Sequence, residues 1–316
     1  MLSTSINRRD FLAASALTAV GLNSLSAADT KLGIIDTHTH FYDPSRKEGV
    51  PWPGKDDKTL FRPVLPAEYK KLTEPFGVTG TVIVEASPWV EDNQWLLELA
   101  KDDPFIVGIV GNLAPGTSDF EKHVDRFAKH SKFRGIRINH AAVKSGLDDK
   151  KFLADIGKLA DHNLELDING GPDMLPDIAQ LAQAVGTLRI VINHVANVRI
   201  DGKAPPDAWV RGMADCAKSP QVFCKVSALV EGGRRDEGLS PSDLAFYTPV
   251  LDTVWKLFGE DRLVYGSNWP VSVRYAPYGQ IQKIVQEYFL TKGQAASEKF
   301  FWKNALKAYQ APRVEK

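Results

Sequence analysis

Gly33-Ile34-Ile35-Asp36-Thr37-His38-Thr39-His40 opens the ordered pattern of this 316-residue chain. Ile34 and Ile35 supply a short apolar run suited to a buried strand. A doubly wound nucleotide-binding sheet would follow its first strand with a glycine-rich phosphate loop; here two histidines follow instead. The same sequence of events recurs down the chain. Apolar runs at residues 80–84, 106–110, 135–138, 164–168, 188–192, 222–226 and 263–265 are short, rich in Val and Ile, and largely continuous. Strands buried on both faces read this way. Helical patterns separate most of them, at 93–101, 119–129, 149–162, 173–185, 208–217 and 243–258. Acidic or hydroxyl residues often open these stretches, and Gly186 and Gly259 close two of them, as capping preferences require. Eight strands alternating with helices predict an α/β protein with a parallel sheet. The length fits a closed (β/α)8 TIM barrel of about 250 residues, with a doubly wound sheet as runner-up.

Composition narrows the function. Hydrophobic residues make up 43% and charged residues 25%, with 39 basic against 39 acidic side chains. A net charge of zero provides no basic field for nucleic acid or an anionic membrane, so the expected partner is a small-molecule substrate. Cys216 and Cys224 match no zinc or redox spacing and read as buried small residues rather than a bridge. Arg8-Arg9-Asp10-Phe11-Leu12, the apolar run 13–22 and Ser26-Ala27-Ala28 form a charged, apolar and small-residue series typical of an export signal. The paired arginines resemble a twin-arginine signal. Residues 1–28 are therefore expected to engage the twin-arginine export machinery and deliver a periplasmic protein. The run of about ten residues is too short to span a bilayer, so no stable membrane insertion is expected after signal removal. Residues 29–316 remain as one barrel domain. Its long connection, 41–63, carries Pro51, Trp52, Pro53 and Gly54 and leaves the top of the first strand. It reads as a lid, with a plain surface insertion as the alternative.

Chemistry collects at the strand ends. His38 and His40, two residues apart, project to one side, so both can reach one ion; the alternative is two histidines hydrogen-bonded within the barrel mouth. Glu85 ends strand two, Arg137-Ile138-Asn139-His140 strand four, Asp167-Ile168-Asn169 strand five and Asn193-His194 strand six. Lys225-Val226-Ser227 ends strand seven and Ser267-Asn268-Trp269 strand eight. In a barrel these groups converge on one concave face. Asn139, Asn169 and Ser227 read individually as caps or turn residues. Arg137 and Lys225 offer cations for a substrate carboxylate or phosphate. Arg234 and Arg235, among Glu231, Asp236 and Glu237, read as a solvated charged loop. His140 is placed to reach substrate or to sit at the surface. Trp269 and Trp52 offer apolar or sugar-stacking walls, with buried packing as the default. His123, His130 and His162 fall on helical stretches and read as surface residues.

Residues 35–41, Ile192-Asn193-His194, Cys224-Lys225-Val226-Ser227 and residues 261–270, with Gly266-Ser267-Asn268-Trp269-Pro270 as their most specific piece, resemble the amidohydrolase-related lactonase family. That family includes 2-pyrone-4,6-dicarboxylate lactonase and L-fuconolactonase. Residues 77–82, 95–100 and 301–305 extend the resemblance over nearly the whole mature chain. It implies that His38, His40 and His194 are the active-site histidines, which bind a divalent metal in some members and contact the substrate carbonyl directly in others. It also places an aspartate, the general base, where this chain has Asn268. An amide has no basic lone pair to accept a proton. Two readings follow: another group is the base, or hydrolysis is lost. Glu85 is the substitute considered. It either joins His38, His40 and His194 as a fourth ligand in a set that suits zinc, or takes the water proton itself, or pairs with Arg137 or Lys225 as charge compensation.

The expected activity is hydrolysis of a sugar-acid or carboxylated lactone. Metal or histidines polarise the carbonyl, Glu85, His194 or the metal activates water, and Arg137 and Lys225 hold the substrate periphery. Metal-dependent non-oxidative decarboxylation is the second class, and an exported binding protein with a degenerate site the third.

Overall fold

A computed structural model describes residues 33–234 and 238–310. The signal expected at 1–28 lies outside them, as does Arg235. Eight parallel strands run in sequence order: β1 (Ile34–Thr39), β2 (Val78–Val84), β3 (Ile106–Gly111), β4 (Phe133–Asn139), β5 (Glu165–Asn169), β6 (Ile190–Ile192), β7 (Val222–Val226) and β8 (Leu263–Tyr265). All eight coincide with the apolar runs. The helices Val90–Ala100, Phe120–Phe127, Lys150–Asp161, Leu175–Ala184, Asp207–Ala217 and Leu244–Phe258 fall where the sequence places them. Asp149 and Asp243 cap two of these, their carboxylates accepting from the amides of Lys151 and Ala245. Gly259, at φ 65°, ends the last one.

The ring closes where β8 meets β1, and it closes differently from the other seams. Seven ladders join β1 to β8 in order. The eighth contact is one parallel bridge, Thr39 to Trp269, with the His40 amide donating to the Trp269 carbonyl at 2.9 Å. Side chains supply the rest. The Thr37 hydroxyl donates to the Tyr265 carbonyl at 2.6 Å. Asp36 Oδ1 accepts from the amides of both His38, at 3.0 Å, and Ser267, at 2.9 Å. Burial pushes the Asp36 pKa upward against the pull of these donors.

Two apolar layers hold the barrel. Ile156, Ile178, Trp209, Val254 and Ile284 pack helices onto the outer face of the strands. Inside, Ile35, Val82, Val107, Val191, Phe223 and Val264 fill the lower barrel, and Ala305, Ala308 and Tyr309 stopper it. Among the described residues the bottom is closed and the upper mouth, at the carboxyl ends of the strands, is open for a site. Cys216 and Cys224 are free and buried, as expected.

β1 is longer than the sequence suggests. It runs through Thr39, so His38 lies within the strand. Its register with β2 shifts between Ile34 and Ile35 and again between Asp36 and Thr39. The second irregularity brackets His38, in keeping with the use of bulges to re-aim side chains beside active sites.

Candidate active site

Three imidazoles meet at the barrel mouth. The ring centroids of His38 and His40 are 4.9 Å apart, and those of His38 and His194 are 4.3 Å apart. β1 delivers the first two. His194 is delivered by a tight turn after β6, in which His194, Val195, Ala196 and Asn197 have φ of 56°, 46°, 57° and 46°. Left-handed backbone is unfavourable for every L-residue with a Cβ, by about 1–2 kcal/mol each. Four in succession, one of them β-branched, form a strained segment. Ala228, after β7, and Asn268, after β8, share that conformation, so three adjacent strands carry strain at the same rim.

Each imidazole is fixed by a different partner. His40 Nδ1 bonds the Val84 carbonyl at 2.9 Å, and His194 Nδ1 bonds Ser227 Oγ at 2.7 Å. Ser227, which reads as a cap in the sequence, is an orienting group. His38 Nδ1 faces Lys225 Nζ at 3.2 Å, while the same ammonium donates to Asp167 Oδ2 at 2.6 Å. Tyr309 completes this buried network by donating to Asp167 Oδ1 at 3.1 Å. Burial lowers the Lys225 pKa and Asp167 opposes this; with Lys225 as the ammonium donor at Nδ1, the imidazole proton of His38 sits on Nε2, which is buried with no partner among the described residues. Burial, reinforced by the charges of Lys225 and Arg137, holds His38 and His194 well below the ordinary histidine range. Burial lowers His40 to about 3, with Arg137 adding to the effect. All three are neutral at pH 7.

Above them lies a cavity of about 530 Å³, within the range of small-molecule sites. Its walls include His40, Trp52, Arg137, Asn169, His194 and Asn268. Trp52 comes from the 41–63 connection and stands 5.9 Å from the His40 ring. That connection is tied down on both sides, through Arg46 to Asp92 and through Asp57 to Arg274, each at 2.5 Å. It covers one wall of the pocket, in line with the lid reading.

Several expected roles change. Glu85 borders the cavity, but its carboxylate is committed: Arg137 donates to Oε1 at 2.8 Å and the Ser87 amide to Oε2 at 2.8 Å. Charge compensation with Arg137, one of the roles considered for it, is the arrangement observed. Lys225 does not hold the substrate periphery, because it is fully buried beneath the histidines and paired with Asp167. His140 turns away from the mouth and bonds Asp177 at 2.7 Å. Trp269 is buried against Phe41 and Tyr69 and forms no cavity wall. Asn139 caps the short helix His140–Gly146, as expected, and Asn169 accepts from the Asn197 amide at 3.1 Å.

The donor set can be weighed against a divalent ion. His40 and His194 suit one, being neutral with Nδ1 already engaged. His38 does not, because Lys225 occupies its Nδ1 side and leaves a proton on Nε2. Glu85 is held by Arg137, and position 268 is an amide. Among the described residues no three His, Cys, Asp or Glu side chains are grouped as metal holders. The expected set of His38, His40, Glu85 and His194 therefore does not fit a closed metal site in this arrangement.

The amidohydrolase family model matches residues 35–311. This chain belongs to that family. It is 32% identical over 240 residues to an L-fucono-1,5-lactonase of Burkholderia ambifaria, covering 75% of this chain and 80% of the relative. An L-fucono-1,5-lactonase of Burkholderia multivorans is 27% identical over 286 residues, or 88% and 96% of the two chains. A crystal structure of an amidohydrolase from Burkholderia multivorans with bound zinc superposes with a TM-score of 0.79 at 26% identity, covering 88% of this chain and 99% of that one. The family's fold thus accepts a divalent ion in a solved relative, and the barrel expected here is the family's barrel.

One side chain at the cavity escaped sequence reasoning. Glu231 belongs to the short helix Leu229–Gly232 that follows β7, and it borders the cavity. In sequence it heads a charge-rich run and reads as solvated. The apolar pair Leu229-Val230 just before it, both buried, was the signal that this turn packs inward.

Proposed function

We propose that this enzyme hydrolyses small cyclic esters, with sugar-acid 1,5-lactones as the first class to test. The observation that carries the reading is the meeting of three neutral, buried imidazoles beneath a cavity with polar walls. The lactonase relatives supply the substrate class. His40 and His194 border the cavity with His38 packed beside both, and imidazole N–H donors stabilise the oxyanion of a tetrahedral intermediate most in a water-poor site. Arg137, locked by Glu85, presents a fixed cation to the substrate periphery. Asn169 and Asn268 offer amides to ring hydroxyls, and Trp52 a flat apolar face.

The test is a panel of aldono-lactones and carboxylated lactones followed by acid release, with and without the chelator dipicolinate. Turnover is expected for at least one sugar lactone. His38→Asn is expected to lower kcat by roughly 100-fold, the size found for loss of one oxyanion donor. Zinc, the ion of the solved relative, is the one to assay by elemental analysis. The side chains as arranged predict a substoichiometric amount and turnover that survives chelation. Ligand-induced stabilisation without turnover would instead mark a binding protein, and carbon dioxide release from aromatic acids a decarboxylase.

Export is part of the same proposal. The Arg8-Arg9 signal pattern supports periplasmic delivery by the twin-arginine route. A reporter fused after residue 28 should be exported, and Arg8→Lys with Arg9→Lys should abolish that export. A fusion retained in the cytoplasm with both arginines intact would overturn it.

A further inference from the structure

The family aspartate is replaced by Asn268, yet the cavity still holds a carboxylate at that corner. Asn268 Nδ2 donates to Glu231 Oε1 at 2.8 Å, and Ser272 Oγ stands 2.5 Å from the same oxygen and 2.7 Å from the Ser267 carbonyl, its one proton shared between the two. Ser272 is in turn anchored by the Asn268 carbonyl, which accepts its backbone amide at 3.1 Å. Both bonds fall on one oxygen. The other, Oε2, is buried and has no partner among the described residues. Asn268, Glu231 and His40 all border the same cavity, so the acid and its amide partner face the mouth that holds the histidine cluster.

We propose that Glu231 is the general base of this site and that Asn268 is its positioning residue, the acid having moved from the end of β8 to the turn after β7. The proposal rests on the lactone reading above. Oε2 takes a proton from water as the water oxygen bonds to the lactone carbonyl carbon, and the carbonyl electrons move onto oxygen beside the histidine donors. When the intermediate collapses, the ring C–O bond breaks and its oxygen recovers the proton from Glu231. The product is an open hydroxy acid, and the carboxylate is restored. The geometry leaves one oxygen pinned and the other uncommitted, as a base needs. Glu85 fails the same requirement, because both its oxygens are occupied. Burial raises the proton affinity of Glu231 against its two donors, which moves an acid toward the range where it accepts a proton effectively near neutrality.

The test is a reciprocal exchange, measured on the purified protein with the best lactone of the panel. Glu231→Gln keeps the shape and both accepted bonds. It is expected to lower kcat by 100-fold or more, within the usual range for loss of a general base, with KM changed less than threefold and the acidic limb of the kcat–pH profile gone. Asn268→Asp alone is expected to lose activity, because it sets a second carboxylate against Oε1. Glu231→Gln combined with Asn268→Asp is expected to recover at least tenfold over Glu231→Gln, since the base then returns to β8. That recovery also excludes misfolding as the cause of the single-variant loss. Glu231→Gln retaining kcat within threefold of the parent, or a double variant no better than Glu231→Gln, overturns the assignment. A failed lactone reading looks different: the parent and every variant are then inactive on all lactones, and the assignment falls with it.

Discussion

Glu165 isolates the energetic consequence of burying a charge in this barrel. It sits at the start of β5, and both of its carboxyl oxygens are buried with no hydrogen-bond partner among the described residues. Burial raises its pKa well above the usual value, Asp167 adds to the rise, and Lys225 and Arg189 oppose it. An acid whose folded pKa is raised contributes its full stability below the unfolded value of about 4.3 and loses it as pH rises toward the folded one. Glu165→Gln removes that loss. The variant is expected to match the parent near pH 4 and to melt about 2–4 °C higher at pH 8, the shift of roughly 1 kcal/mol in a chain of this size. A gap between the two that shrinks as pH rises would contradict the sign. The active-site residues follow a different logic. His38, His40 and His194 are legible as site residues from sequence position, and so is Lys225, but the orienting roles of Ser227 and Lys225 are not. Nothing in the local sequence distinguishes a serine that caps a turn from one that bonds an imidazole across 33 residues of chain.

Among the elements, β8 shows how tightly the mouth is assembled. Its apolar run was legible, but Gly266 beyond it carries no sequence signal of its role. A Cβ on Gly266 would stand 2.8 Å from the His38 Cβ and 3.2 Å from the Ser227 Cβ. Neither neighbour is a flexible side-chain tip, so relief must come from moving β1 or β7. Gly266→Ala is therefore expected to destabilise by about 1–3 kcal/mol, as overpacking does, and to lower kcat more than tenfold by displacing His38 and the support of His194. Urea unfolding and lactone assays on the same preparation check both. Unchanged values of either would mean that the mouth is softer than its packing implies. The turn after β6 was equally hidden. Asn193-His194-Val195-Ala196-Asn197 contains no glycine, so composition gives no sign of four positive φ angles. Tertiary packing overrides local preference there, and the segment so held carries a histidine of the site.

At the scale of the molecule, the barrel was readable because every strand is buried on both faces and every helix pattern has its own period. These are local signals repeated eight times. What could not be read was the partnering of charges across the ring. Glu85 with Arg137 and Lys225 with Asp167 are each settled by which strands become neighbours or face one another, and a single-strand pattern does not encode that. Glu231 was missed for the same reason, since its two donors lie 37 and 41 residues further along the chain. The stopper beneath the barrel carries a consequence for the order in which the enzyme becomes competent. Tyr309 follows every strand in sequence; its hydroxyl donates to Asp167 and its ring lies 5.4 Å from Lys225 Nζ. A growing chain that has released all eight strands from the ribosome still lacks the hydroxyl that donates to Asp167. The network beneath the histidines is thus completed by one of the last described residues to leave the ribosome.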